Sequence, residues 1–290
     1  MNVLRMQGLA FSLLAILLSA VTITIRPINQ STELLIMAAL ILLFGVPHGA
    51  LDTVFARRIY SLRTIIGWLV FTVAYLALVV LVILLWRAAP VLFLSGFLLI
   101  SFAHFSGDPA AGTPLASRIL YGGAIIVFPV LLHAQEVSRL FSFLVGETAS
   151  AQVLYCLHFL AWPWLIALTC AAAYSLKGNW LTTTELVAVA LLAIFTQPLL
   201  AFTVFFCGMH SARHILRTFQ YSGRRQPRQL AASAFLPMLA VLGAALAVFF
   251  WLPNLSLETK IVQLVFVGLA ALTVPHMLLV ERIRSSGWVS

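Results

Sequence analysis

Five histidines in this chain stand where one cation could be held. They occur in VPHGALD (46–52), SFAHFSGD (101–108), CGMHSARHI (207–215) and VPHMLLVE (274–281), which supply His48, His104, His210, His214 and His276. His210 and His214 are four residues apart, the spacing that puts two side chains on one helix face about a turn from each other. Two imidazoles so placed can meet one ion, and His48 and His104 can complete the set from two further helices. An aspartate follows four residues after two of these histidines: Asp52 after His48, and Asp108 after His104. A metal-bound histidine commonly gives its other ring N–H to a carboxylate or carbonyl, which fixes its tautomer. Asp52 and Asp108 are expected to do this, directly or across to a neighbouring helix, and together they would offset the charge of a divalent ion.

All-imidazole donor sets suit zinc, copper, iron or nickel. No thiolate is placed to join, because Cys207 lies three residues before His210 and faces elsewhere. Neutral histidines with open positions suit an Fe(II) that binds dioxygen, and zinc is the rival. The HExxH pattern of metalloproteases is absent. Histidines and aspartates in membrane spans can also relay protons or pass metal ions, so a transporter or channel is the non-enzyme alternative. Bis-histidine haem in an assembly protein is a third reading. Against transport, the polar residues gather at one end, and little polar lining continues through the other half.

The elements that carry these residues are membrane spans. The chain has 290 residues, of which 62% are hydrophobic and 9% charged, with mean hydropathy +1.08. Soluble domains carry about a quarter charged residues. The apolar runs are too long and unbroken for barrel strands of about 10 residues, so they read as helices of roughly 20 residues. The expectation is an all-α, polytopic integral membrane bundle of about ten transmembrane helices. They fall near 7–25, 33–51, 64–86, 90–107, 117–135, 152–175, 183–197, 198–219, 230–252 and 260–281, forming one membrane-embedded catalytic domain over 1–290. The stretch LAFSLLAILLSAVTITI after Arg5 could pass for a signal peptide and is read as a retained first span. The seventh and eighth spans meet at Gln197-Pro198, where one bent helix would instead give nine.

Charge tests the count. With the N-terminus cytoplasmic, 13 of the 17 basic residues fall inside, including SGRRQPRQ at 222–229. Only Arg26, Arg87, Arg139 and Lys260 fall outside. The positive-inside rule thus supports ten spans with both termini cytoplasmic, in the cell inner (plasma) membrane. The net charge of +9 reports topology rather than nucleic-acid binding. Cys156, Cys170 and Cys207 lie in apolar runs and read as buried thiols.

On this topology five of the seven histidines share one layer, near the cytoplasmic ends of four even-numbered spans. His133 and His158 fall near the outer ends, as polar residues with no assigned role. Gly45 and Gly49 flank His48 as a small-xxx-small pair that allows close helix approach. Phe44, Phe102, Phe105 and Phe206 lie near the histidine layer and are taken as candidates to line a tunnel for a long apolar substrate.

The motifs FGVPHGALD (44–52), SFAHFSGD and CGMHSARHI, in this order and spacing, resemble the three histidine motifs of the Brp/Blh family of membrane β-carotene 15,15′-dioxygenases. The resemblance covers essentially the whole chain. It implies a non-haem Fe(II) enzyme that cleaves the central double bond of β-carotene with O2 to give two all-trans-retinal. It carries the iron ligands to His48, His104, His210 and His214. VPHMLLVE also resembles a C-terminal stretch of the family, which sets His276 beside the metal or the substrate. The substrate would be taken from the lipid bilayer and would lie tilted or in the membrane plane. The retinal could pass to a rhodopsin.

Overall fold

The computed structural model describes residues 3–22, 30–223, 226–251 and 255–284. Among the described residues every regular element is helical. The elements are α1 (Val3–Thr22), α2 (Ser31–Ile59), α3 (Ile65–Ala88), α4 (Pro90–Phe105), α5 (Leu115–Val127), α6 (Pro129–Val145), α7 (Glu147–Ser175), α8 (Trp180–Phe195), α9 (Pro198–Tyr221), α10 (Pro227–Trp251) and α11 (Leu257–Arg284). Seven of these are long and apolar enough to cross a membrane. α5 and α6 qualify as an eighth if counted as one span bent by 46°, and α4 and α8 are shorter apolar helices. The end of the first expected span, together with Arg26, Arg224 and Arg225 of the charge count, lies outside the described residues.

Two local results differ from the sequence reading. The stretch 136–151, read as a connection, is almost wholly helical: α6 runs on to Val145 and α7 starts at Glu147. Its apolar residues Val137 and Leu144 are buried, so tertiary packing carries the helix past the apolar run that a hydropathy window detects. Cys156 and Cys170 are exposed on the outer face of α7 rather than buried.

Gln197-Pro198 separates two helices. Thr196 and Gln197 are extended (φ −102°, ψ 146° and φ −50°, ψ 137°), and Pro198 opens α9 at a position that needs no N–H. The chain reverses there. Glu185, 12 residues before Gln197, and Arg213, 15 residues after Pro198, form an ion pair of 2.7 Å with each side chain 2% exposed. α1 lies along α8 in the same direction, with Gly8 against Glu185 and Thr22 Oγ1 donating to the Phe195 carbonyl at 3.4 Å. A Cβ on Gly8 would collide with both the carboxylate of Glu185 and the guanidinium of Arg213, so glycine is what lets α1 approach. Gln7 Oε1 also accepts from Arg213 Nε (2.8 Å), and Gln7 Nε2 donates to the Gly208 carbonyl (2.8 Å). The start of α1 therefore sits at the same end of the bundle as the histidines of α9. The last turn of α11 sits there too, with Arg284 against Gly107.

An isolated charge left inside such a bundle has no water to relax into. Glu185→Ala should therefore cost about 3–5 kcal/mol by stranding Arg213. Thermal unfolding in detergent should show this as a marked fall in midpoint, with a smaller fall when Arg213 is replaced by leucine at the same time.

Candidate metal centre

Two widened turns set the histidines. α2 passes through a π turn at Ile41–Gly45, where Val46 N–H donates to the Ile41 carbonyl at 2.9 Å. α9 does the same at Phe205–Ser211. Such turns hold an extra residue and often mark functional sites. The two pack together: Ser211 Oγ donates to the carbonyls of Phe44 (2.7 Å) and Gly45 (3.1 Å). Phe206 lies against Gly45, and a Cβ there would run into its ring. Of the small-xxx-small pair, Gly45 makes the close approach. Gly49 has nothing within 4 Å of an added Cβ and lines a cavity instead.

Five imidazoles then converge from α2, α4, α9 and α11. The His104 ring centroid is 4.4 Å from His210 and 5.0 Å from His276. His48 stands 4.9 Å from His210, 5.3 Å from His214 and 5.2 Å from His276, and His214 is 5.0 Å from His276. All five are buried. One ring nitrogen each of His48, His104 and His276 lies within 4.8 Å of the other two, close enough for all three to share an ion. His276, expected beside the metal or the substrate, stands with His48 and His104 in that group. His210 and His214, four residues apart, have ring centroids separated by 6.4 Å.

The aspartates work across helices rather than on the histidine four residues before them. Asp108 accepts from His210 Nδ1 through both oxygens at 3.0 Å. Asp52 accepts from His276 Nδ1 at 2.7 Å, and the Gly45 carbonyl accepts from His48 Nδ1. These partners assign the proton to Nδ1 and leave Nε2 free to bind a cation. Among the described residues, both ring nitrogens of His104 and the Nε2 atoms of His210 and His276 have no hydrogen-bond partner. Burying a polar group unsatisfied costs about 1–3 kcal/mol each. A cation shared by these nitrogens removes that cost, so the donor set fits a metal ion.

Two arginines hold the turn after His104. Arg213 Nη1 donates to the Asp108 carbonyl (2.9 Å). Arg217 donates to the carbonyls of Gly107 (2.8 Å), Asp108 (2.9 Å) and Pro109 (3.1 Å). The sequence reading counted both arginines toward topology only. The available signal was their spacing, each arginine three residues after a histidine on the same helix.

The centre opens on one side to an apolar cavity of about 650 Å³ that reaches His48, Asp52 and His276 and is walled by α2, α3, α10 and α11. Leu76 and Leu236 line it while remaining 53% and 71% exposed, so it opens sideways toward lipid. On the other side a space of about 20 Å³, one water in size, lies among His104, His210, His214, Asp108, Arg217 and Arg284. Of the aromatics expected to meet substrate, Phe206 lines the large cavity. Phe44 is 58% exposed on the outer surface, Phe102 packs on Trp164, and Phe105 packs on Phe205 and His210. Trp68, Phe71 and Tyr75 of α3 line the cavity. The sequence reading did not single them out, because α3 is apolar all round and shows no inward stripe. His133 and His158 border a separate cavity away from the centre.

Fold and site together define a class: an apolar helix bundle with a buried imidazole centre that opens on a lipid-side cavity. Within that class the chain belongs to the β-carotene 15,15′-dioxygenase family, whose model matches residues 39–284. It is 31% identical over 251 residues to a β-carotene 15,15′-dioxygenase of an uncultured marine bacterium, 66A03, across 84% of this chain and 91% of that relative. No solved structure matches the chain.

Because Asp108 fixes His210, Asp108→Asn should weaken metal binding about 10- to 100-fold with little change in the unfolding temperature of the metal-free protein. Chelator competition on the purified variant measures the first, and differential scanning fluorimetry the second.

Proposed function

We propose that this chain cleaves the central 15,15′ double bond of β-carotene with O2, giving two molecules of retinal, and that it does so as a non-haem iron(II) enzyme. The observation that carries the reading is the meeting of five buried imidazoles from four apolar helices at the wall of an apolar cavity open to the bilayer. Membership of the β-carotene 15,15′-dioxygenase family supports the same substrate and bond. His48, His104, His210 and His214 hold the iron, and His276 joins them. Asp52 and Asp108 orient two of these rings and balance the charge of a divalent ion. When bound, Fe(II) supplies the site at which dioxygen is activated toward a carbon–carbon double bond.

The chain's own residues do the rest. The walls on α3, α10 and α11, which are mainly apolar, accept a polyene from the membrane. The sideways opening lets the substrate lie in or across the bilayer plane. Phe206, whose ring lies 5.4 Å from His48 and is stacked on His210 at 5.6 Å, packs the polyene against the metal side of the cavity. Tight burial of the centre keeps bulk water from it.

For the topology, we read the helices as ten passes, with α5–α6 as one bent pass and α4 and α8 as short ones. Both termini face the cytoplasm, across the cell inner membrane, and the chain forms one catalytic unit over residues 1–290. Retinal released into the lipid is available to a retinal-binding membrane protein such as a rhodopsin. The transporter reading has less support, since the large cavity beside the centre is walled mainly by apolar side chains.

Expression in a β-carotene-accumulating bacterium should bleach the cells and yield retinal on chromatography. Purified protein in detergent should form retinal from β-carotene without any ion gradient, and only with iron present. Alanine at His48, His104, His210, His214 or His276 should reduce both bound iron and retinal to background, whereas His133→Ala should leave both unchanged. Cells that stay orange with the protein in their membranes would refute the function. Iron retained in full by the His276 variant would remove that residue from the ligand set.

A further inference from the structure

α3 lies at the edge of the bundle: of its 24 residues only Val82 is buried, and its inward stripe, which includes Trp68, Phe71 and Leu78, is no more than half-buried. Tyr75 on this helix nevertheless carries an inward hydrogen bond. Its Oη donates to Asp52 Oδ2 at 3.0 Å, and the Leu272 carbonyl lies 3.5 Å away. The other oxygen of the same carboxylate accepts from His276 Nδ1 at 2.7 Å. Asp52 is 4% exposed, so water does not make up for a missing donor. The result is one chain of bonds, phenol to carboxylate to imidazole, ending on a nitrogen that faces His48 and His104.

The ring of Tyr75 has a second position in the architecture. It borders the 650 Å³ cavity that reaches the metal centre, and also a neighbouring apolar cavity of about 500 Å³ between α3 and α11. Phe71, 5.8 Å away by ring centroids, borders both as well. The two rings form the partition between the cavities.

We propose that Tyr75 is a positioning residue that ties the substrate cavity to the metal centre. Its hydroxyl holds Asp52 on His276 and so aims that imidazole, and its ring closes the cavity wall against which the polyene is set. This rests on the functional reading above. A carboxylate deep among apolar side chains is fixed only when both oxygens are bonded. With Tyr75 in place each oxygen has a donor; without the hydroxyl, Asp52 keeps one donor and is free to rotate away from His276.

The experiment compares wild type, Tyr75→Phe, Tyr75→Leu, Asp52→Asn and the Tyr75→Phe/Asp52→Asn double variant, all purified in detergent. Co(II) affinity is read by chelator competition, and kcat and KM for β-carotene with their products by chromatography on the Fe(II)-loaded proteins. Tyr75→Phe keeps the ring, so it should bind Co(II) about 10-fold more weakly and lose kcat by a similar factor, with KM and the product unchanged. The double variant should bind Co(II) no more weakly than Asp52→Asn alone, because the hydroxyl acts through that carboxylate. Tyr75→Leu should in addition raise KM and release products of cleavage at bonds beside the central one. Wild-type Co(II) affinity in Tyr75→Phe, or additive losses in the double variant, would overturn the proposal. If Tyr75→Phe does not fold, the Co(II) affinity of Tyr75→Leu decides instead, and an unchanged value overturns it. A wild type that binds Co(II) but makes no retinal when loaded with Fe(II) sinks the functional reading alone, since the metal-binding comparison stands without turnover.

Discussion

A ring nitrogen buried among apolar helices has to bond to something, and the architecture around the five histidines follows from that requirement. Water is not at hand to satisfy such an atom, and each unsatisfied one costs about 1–3 kcal/mol. Three of the five have their Nδ1 committed to a named acceptor: the Gly45 carbonyl, Asp108 and Asp52. The inward-facing nitrogens of His104, His210 and His276 have no protein partner among the described residues. A bundle built this way is incompletely satisfied by its own side chains, and an ion shared by these nitrogens would satisfy it.

The surrounding devices serve to keep these rings converged. Two π turns rotate their helices so that His48 and His210 face the same point, and Ser211 satisfies carbonyls that the widened turn of α2 presents. Gly45 lets the two turns touch. Arg213 and Arg217 bond three successive carbonyls of the turn that carries Asp108, so the carboxylate on His210 is held by its backbone as well as by its own contact. Arg213 is in turn neutralised by Glu185. The polar contacts in this part of the bundle thus form a continuous network running from Gln7 of α1 and Glu185 of α8 to the histidine side of α9.

Much of this was legible in the sequence, for a physical reason. Apolar run lengths fix depth, so counting spans was enough to put His48, His104, His210, His214 and His276 in one layer. The helix rotation within the layer was not legible. A run such as MAALILLFGV has no periodicity that says which side faces inward, and a π turn has no local signature because tertiary packing creates it. For that reason the pairing of Asp52 with His276 and of Asp108 with His210 could not be read from the four-residue spacings, which left open whether each aspartate served its own helix or a neighbouring one. The cavity wall was hidden likewise. Tyr75 and Trp68 lie on a helix that is apolar on every side, while Phe44, close in sequence to His48, turns outward. The break at Gln197-Pro198, which the charge count already set between two spans, is held as a hairpin by the pairing of Glu185 with Arg213.

α10 has none of its most apolar window buried inside the protein, yet it supplies one wall of the cavity beside the histidines. The enclosure is therefore shared with whatever acyl chains surround the protein. Solubilising agents that pack unlike those chains replace part of the wall itself, so the choice of amphiphile becomes a variable of the binding site and not only of its environment.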